Sequence, residues 1–419
     1  MGGGIDNNSN SPVVVTGMGC MAGGGIDVDS LWRNFVRAEV NCRPVPSYLF
    51  KTILDYPVFA APVDCFSERA EALAAETRPG FKKESVSRTI LLAFSAAAEA
   101  LQRAGLSAEY LRSVRVGIAL GTTVGCTFHN EEYYSAWREG GEPDLAPVQF
   151  YLAGNVSSAL HRILGTSGPS AVITNACASG TDAIGVARNW LATGQCDIAI
   201  AGGADELSRV AYNGFVSLML ADKQSCRPFS KDRQGLNLGE GAGVVVLERQ
   251  EDAEARRCSP LGWVRGYGCA ADAWHPTAPH PEGRGLKTAL RQALRDCGDP
   301  EEIPALINAH GTGTKANDRA ETAALAEIFV APEKPAVVST KGVTGHTLGA
   351  AGGIEAIFTL TALRYGHTPG TVGCLEADPE LPMPVLTQSE NRHLNGHWGI
   401  SQSLAFGGGN SVLVLEAAK

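Results

Sequence analysis

The sequence predicts a layered α/β protein made of two similar halves, and three observations predict it. Short apolar runs break into glycine at "RVGIALGTT", "CDIAIAGGADE" and "PALINAHGTGT", as buried strands do when they deliver loops. Helical patterns alternate with these runs, which is the order of a layered α/β chain. Two segments also recur in matching order. "SPVVVTGMGC" (11–20) is echoed by "SPLGWVRGYGC" (259–269), and "GAGVVVLER" (241–249) by "GGNSVLVLEAA" (408–418). A single echo is ordinary in an α/β chain, whereas two in the same order indicate duplication, with halves at 12–250 and 259–417. The first half carries the longer insertions and residues 1–11 read as a disordered leader.

Composition narrows the function. The chain has 419 residues, 44% of them hydrophobic, enough to bury a large core. A formal charge of −9 argues against a nucleic-acid partner, whose footprint is a basic excess. The start "MGGGIDNNSNS" lacks the pattern of a signal peptide, and no apolar window is long enough to span a bilayer. Eleven cysteines, an odd count with no C-x-x-C pair, suggest neither a disulfide framework nor a zinc site and fit a reducing cytoplasm.

The elements follow in order. "VVVT" reads as a strand, and the "GMGCMA" after it (17–22) matches a G-x-G-x-x-A dinucleotide fingerprint. The glycines are expected to run on into a loop through "GGGIDVDSLW", and no strand with a terminal acid follows near 36–40, so a nucleotide site is set aside. "SRTILLAFSAAAEALQRAG" (87–105) is a helix with Ser87 as N-cap and Gly105 as its stop. "SAVIT" is a strand, and "ASGTDAIGVARNWLATG" a helix with Ala183, Ile184, Ala187, Trp190 and Leu191 on one face.

Four places carry candidate chemistry. Cys177 sits at the junction of that strand and helix, flanked by Ala176, Ala178 and Gly180, which let a substrate approach; the helix end is expected to favour its thiolate. His310, in "INAHGTGTKANDRAE", follows an apolar strand, and Thr312 and Thr314 beside it can hydrogen-bond an extended polar ligand. Lys341 and His346, in "VVSTKGVTGHTLGAAGGIEAI", precede a helix of small residues. Phe406 before three glycines in "SLAFGGGNSVLVLE" is either an aromatic gate on a mobile loop or a tight turn before a last strand.

The motifs "NACASG", "NAHGTGT", "STKGVTGHTLGAAGG" and "FGGGN", in this order, resemble those of the β-ketoacyl-acyl-carrier-protein synthases of the KAS II type, condensing enzymes of the thiolase superfamily. The resemblance covers residues 12–417. It implies a thiolase-like fold of duplicated halves in five α-β-α-β-α layers, with Cys177, His310 and His346 as the catalytic triad. The implied reaction is a decarboxylative Claisen condensation. An acyl group held on Cys177 is joined to malonyl-acyl-carrier protein, giving a β-ketoacyl chain two carbons longer in fatty acid elongation. The N–H groups of Cys177 and Phe406 would form the oxyanion hole, and neutral His310 and His346 would hold the malonyl thioester, supported by Lys341 with Glu321 as its partner. Thr277, Thr312 and Thr314 match pantetheine contacts, and Val124 lies where a long-chain acyl pocket has an aliphatic residue. No enzyme-bound cofactor is implied, since phosphopantetheine arrives on acyl carrier protein; the family forms dimers.

Departures are also visible. The usual G-F-G-G-T-N loop here carries Ala405 and Gly409, expected to stiffen one hinge and loosen another. A structural cation in some relatives is matched by Asn308, Glu355 and Ser401, but Gln402 replaces the fourth residue. A basic docking residue is missing near "FVSLML", leaving Lys82, Lys83 and Arg88, or Arg227, Lys231 and Arg233, to meet the carrier protein. The alternatives are a type II polyketide or aryl-polyene ketosynthase paired with a Cys-less related subunit, a silent chain-length factor, and a thiolase. Cys177 argues against the second, and His346, where thiolases carry another cysteine, against the third.

Overall fold

The computed structural model describes residues 11–125, 130–146, 148–149 and 155–418, so the expected leader lies almost wholly outside the described residues. Ten strands form one sheet in the order β3-β2-β4-β5-β1-β6-β12-β11-β7-β8. In chain order these are β1 (Val13–Ala22), β2 (Val116–Gly121), β3 (Ser170–Ile173), β4 (Ile198–Asp205), β5 (Gly241–Arg249), β6 (Gly262–Ala271), β7 (Leu306–Asn308), β8 (Ala336–Val338), β11 (Trp398–Leu404) and β12 (Gly409–Ala417). A separate hairpin pairs β9 (His367–Pro369) with β10 (Asn391–His393).

The sheet order is the duplication made visible. β2 is parallel to β3 and β4, while β5 is antiparallel to both of its neighbours, β4 and β1. In the second half β7 is parallel to β8 and β11, while β11, β12 and β6 repeat the antiparallel part. The halves meet where Val14 and Val15 of β1 pair with Trp263 and Gly262 of β6. The echoed segments are therefore equivalent strands, β1 with β6 and β5 with β12.

Two helices lie between the halves. Ser179–Ala192 packs on β2, β4 and β5 and reaches β6 and β12, while Ala351–Tyr365 packs on β4, β5, β7, β11 and β12. Every residue from Ala351 to Leu363 is buried, as a helix covered on all sides requires. Outside the first half-sheet lies Arg88–Ala104, capped by Ser87 and stopped by left-handed Gly105 as its sequence predicts. Arg284–Asp296 covers the second half, completing five layers. No described helix is long and apolar enough to cross a membrane.

The "GMGCMA" segment corrects one expectation. Gly17 and Gly19 do not leave the strand, because β1 continues through them to Ala22; the expected turn into a loop comes only at Gly23 and Gly24. A Cβ on Gly17 would lie 2.0 Å from the Ala100 carbonyl oxygen, and one on Gly19 1.9 Å from that of Ala96. Glycine is there so that helix Arg88–Ala104 can press its backbone against the strand. The second half repeats the device, with Gly266 and Gly268 facing the carbonyl oxygens of Ala293 and Ala289 at 2.3 and 2.2 Å from a built Cβ. The shared G-x-G is thus a helix-packing signature.

Gly19→Ala and Gly268→Ala should each lower stability by about 1–3 kcal/mol or more, through overpacking of equivalent contacts. Urea unfolding midpoints check this, and an unshifted midpoint in either variant contradicts the packing account.

Candidate active site

The central helices start beside each other, and the site is built where they meet. Ala176 has φ +43°, a left-handed turn that lifts Cys177 between β3 and helix Ser179–Ala192. On the other half, His310 follows β7, while Lys341 and His346 occupy the turn between β8 and helix Ala351–Tyr365. Cys177, His310 and His346 are all buried, and their ligand atoms lie within 4.8 Å of one another. The His346 Nε2 is 3.0 Å from the Cys177 sulfur, and the two imidazoles meet edge to face at 5.1 Å between centroids. Chain order separates these residues widely; duplication brings them together.

Hydrogen bonds behind the rings fix their tautomers. The Leu348 N–H donates to His346 Nδ1 at 3.3 Å, so the neutral ring carries its proton on Nε2, facing the sulfur. Lys341 Nζ lies 3.3 Å from His310 Nδ1, which leaves a His310 Nε2–H for the cavity. Burial, and then the neighbouring Lys341, hold both histidines well below the ordinary imidazole range. Both are neutral donors near pH 7. Lys341 beside the three donor atoms also disfavours a metal cation among them, although Cys-His-His is a possible ligand set that sequence spacing did not reveal.

Two expectations need correction. Lys341 pairs with Glu355, not Glu321. Glu321 instead accepts the N–H groups of His310 at 2.5 Å and Gly311 at 2.8 Å, and the Gln402 amide at 2.7 Å, so it shapes the His310 loop. Burial pushes its carboxyl up to about 7. The Cys177 thiol, expected to favour ionisation, is pushed up to about 12 by burial, against the lowering effects of Lys341 and of the Phe406 N–H directed at its sulfur. Desolvation outweighs the helix end here. Of the basic clusters, Arg88 is held by Glu240, Arg233 by Asp318 and Asp378, and Arg227 by Asp222 and Asp232, whereas Lys82 is exposed and Lys83 and Lys231 meet Asp64 and Glu376 at the surface.

A cavity of about 340 Å³ opens onto Cys177, His310 and His346 and is lined by Thr277, Thr312 and Thr314. Phe406 lies across it, stacked on Phe215 at 5.2 Å. Its loop is a tight turn in which Gly407 and Gly408 take φ of 83° and 80°, whereas Ala405 and Gly409 are extended; the two departures thus fall where the backbone conformation alone does not call for glycine. Asp272 holds this turn, its N–H donating to the Gly408 carbonyl at 2.8 Å and its Oδ1 accepting Asn410 at 3.1 Å. Val124 does not line this cavity. It packs in an apolar cluster with Leu207, Tyr212, Phe215 and Phe406.

The expected cation residues show a consistent pattern. Asn308 and Ser401 are register partners on β7 and β11 and share a face, and the Asn308 amide donates to the Glu355 carbonyl at 3.1 Å. Asn308 Oδ1, Ser401 Oγ and Glu355 Oε2 are buried without a hydrogen bond. Strand alternation turns Gln402 to the opposite face, toward Glu321.

Residues that sequence reasoning missed include Asp205, whose buried carboxylate accepts Thr122 Oγ1 at 2.6 Å, Thr123 N at 2.8 Å and Gly349 N at 2.7 Å, tying the Val124 loop to the His346 loop. The acid in "AGGADE" was visible, but its reach across the layers was not. Lys315 was missed too: it lines the cavity, is exposed, and makes no ion pair among the described residues.

The comparisons bear on this geometry. Residues 10–253 match the β-ketoacyl synthase N-terminal domain, and residues 261–374 the β-ketoacyl synthase C-terminal domain. The chain belongs to the β-ketoacyl synthase family. It is 31% identical to the 3-oxoacyl-[acyl-carrier-protein] synthase 2 of Staphylococcus aureus (strain COL), covering 98% of this chain and 99% of that one. It is 33% identical to nodulation protein E of Rhizobium meliloti, over 96% and 98% of the two chains. Among solved structures, the ishigamide ketosynthase/chain length factor superposes with a TM-score of 0.89 at 31% identity, covering 98% and 100% of the chains. A ketosynthase solved with its chain length factor from Xenorhabdus doucetiae gives 0.79 at 28% identity, over 100% of both.

With its thiol raised, Cys177 should alkylate slowly at neutral pH, and its rate with iodoacetamide should keep rising above pH 9, since thiolate grows only as the raised pKa is approached. A rate already level between pH 7 and 8 contradicts the buried-thiol assignment. Peptide mapping restricts the measurement to Cys177.

Proposed function

We propose that this β-ketoacyl synthase catalyses the decarboxylative condensation of an acyl thioester with malonyl-acyl-carrier protein, releasing a β-ketoacyl-carrier protein two carbons longer. The observation that carries the proposal is the junction cysteine facing two neutral imidazoles that both present Nε2–H to one cavity. A pair of donors without a resident base suits an enolate better than a hydrolytic water.

In the first half-reaction Cys177 Sγ attacks the acyl thioester carbonyl. The N–H groups of Cys177 and Phe406 hold the oxyanion, the carbon–sulfur bond to pantetheine breaks, and the proton lost from Cys177 ends on the departing pantetheine thiol. Malonyl thioester then enters, with Thr277, Thr312 and Thr314 along its pantetheine arm. His310 and His346 donate to the thioester oxygen, the carboxylate leaves as carbon dioxide, and its bonding electrons form an enolate. Attack of that enolate on the acyl carbonyl makes the carbon–carbon bond and breaks the acyl–sulfur bond, releasing Cys177 as a thiolate that takes a proton from solvent. Lys341 keeps His310 a donor through Nδ1, with Glu355 balancing its charge. Asn308, Ser401 and Glu355 would hold a small hard cation, whose charge would help fix Glu355.

The acyl chain would lie along the apolar cluster that includes Val124. The edge of β3, with half-exposed Val172 and Ile173, supports pairing with a second copy or a related subunit. Fatty acid elongation is the first reading. The relatives solved with chain length factors support the second, a polyketide-type ketosynthase with a Cys-less partner. Ten free cysteines among the described residues favour a reducing cytoplasm.

Cys177→Ala should acquire no acyl adduct by intact-mass measurement, and persistence of the adduct would move the nucleophile elsewhere. His310→Ala and His346→Ala should each cut release of labelled carbon dioxide from malonyl-carrier protein by about a hundredfold. Unchanged release in both variants excludes the donor roles.

Val124→Phe fills that apolar cluster, so it should block acylation by long primers while sparing the shortest. Equal primer ranges in the variant and the parent protein contradict an acyl path past Val124.

A further inference from the structure

The backbone gives no reason for glycine at position 409: φ −67° and ψ 136° suit any residue. The reason lies across the cavity. A Cβ on Gly409 would meet Asn175 Oδ1 at 2.6 Å, Nδ2 at 2.9 Å and Cγ at 3.1 Å. The amide cannot simply turn aside, because its Nδ2 donates to Asp182 Oδ2 at 2.7 Å. Asp182 is itself buried, and its other oxygen accepts the Tyr267 hydroxyl at 2.8 Å and the Ser411 hydroxyl. The backbone of Asn175 is held as well, its N–H donating to Ser179 Oγ at 2.8 Å.

One carboxylate on the central helix therefore collects bonds from the nucleophile loop, from β6 and from β12, the strand that the Phe406 loop enters. Asn175 stands two residues before Cys177, and Gly409 three after Phe406, which lines the same cavity as Cys177. Any shift of the loop's far end is felt at the Asn175 amide, and any shift of that amide is felt at Cys177.

We propose that Asn175 is a positioning residue that sets the C-terminal hinge of the Phe406 loop against the nucleophile loop, and that residue 409 is glycine to admit its amide. The proposal rests on the ketosynthase reading only for the reaction it serves. Asn175 touches no reacting atom; it acts through the relative placement of Cys177 and the Phe406 N–H.

A double-mutant cycle of Gly409→Ala, Asn175→Ser and the combined variant tests this, read in the folded proteins by iodoacetamide alkylation of Cys177 and by acyl-adduct formation. Gly409→Ala should slow both reactions by about tenfold in the parent background and add nothing once Asn175 is Ser, the coupling expected of residues in contact. If Gly409→Ala does not fold, the combined variant should fold and react like Asn175→Ser. A neutral Gly409→Ala, strictly additive effects, or a lowered melting midpoint with unchanged alkylation would each overturn the proposal, as would failure of both Gly409→Ala proteins to fold. If even the parent protein takes up no acyl group while the alkylation cycle is non-additive, the reaction assignment fails and the positioning role stands.

Discussion

The site depends on how closely the two central helices approach at their N-terminal ends. A Cβ on Gly180 would lie 2.7 Å from the Gly349 carbonyl oxygen and 2.9 Å from Gly353 N, and one on Gly352 would lie 2.1 Å from Thr181 Oγ1. Backbone thus meets backbone where one half delivers its cysteine and the other its second histidine. Interiors packed at this density do not deform gradually, so the 3.0 Å separation of Cys177 and His346 is set by the layers behind it. Asp205 fastens the same junction by bonding Thr123 N and Gly349 N at once.

Burial at that junction decides the electrostatics. It removes charge from the nucleophile and from both imidazoles and leaves Lys341 and Glu355 as the buried ion pair. A buried cation is stable only with its partner close, and here it also fixes a tautomer. The resulting cavity offers N–H donors to a negative charge that exists only during the reaction. Electrostatic stabilisation of this kind works because the donors are set before the charge develops.

Much of this was legible in the sequence, for physical reasons. The echoes around Gly17 and Gly266 could be read because both strands need glycine to admit a helix backbone, so the constraint writes itself twice. Cys177, His310 and His346 could be read because strand-to-loop junctions carry local signatures. Partnerships across layers could not. Glu321 is one of three acids on its helix and Glu355 the one acid on its own, and only the tertiary structure shows that Lys341 meets the second while the first turns to the His310 backbone. The same holds for Gln402, which strand alternation turns toward Glu321 and away from Ser401's face. The raised thiol of Cys177 escaped because helix position is local, whereas desolvation depends on the whole surrounding fold.

The central claim is that one cavity joins two carbon units, and the most direct measurement follows the carbon. The protein is first acylated, then mixed with malonyl-carrier protein labelled at all malonyl carbons, and the carrier-bound products are weighed. The account predicts a β-ketoacyl-carrier protein heavier than the primer by two labelled carbons, with labelled carbon dioxide released in equal amount and Cys177 returned free. Labelled acetyl-carrier protein alone, with the acyl group still on Cys177, would contradict it.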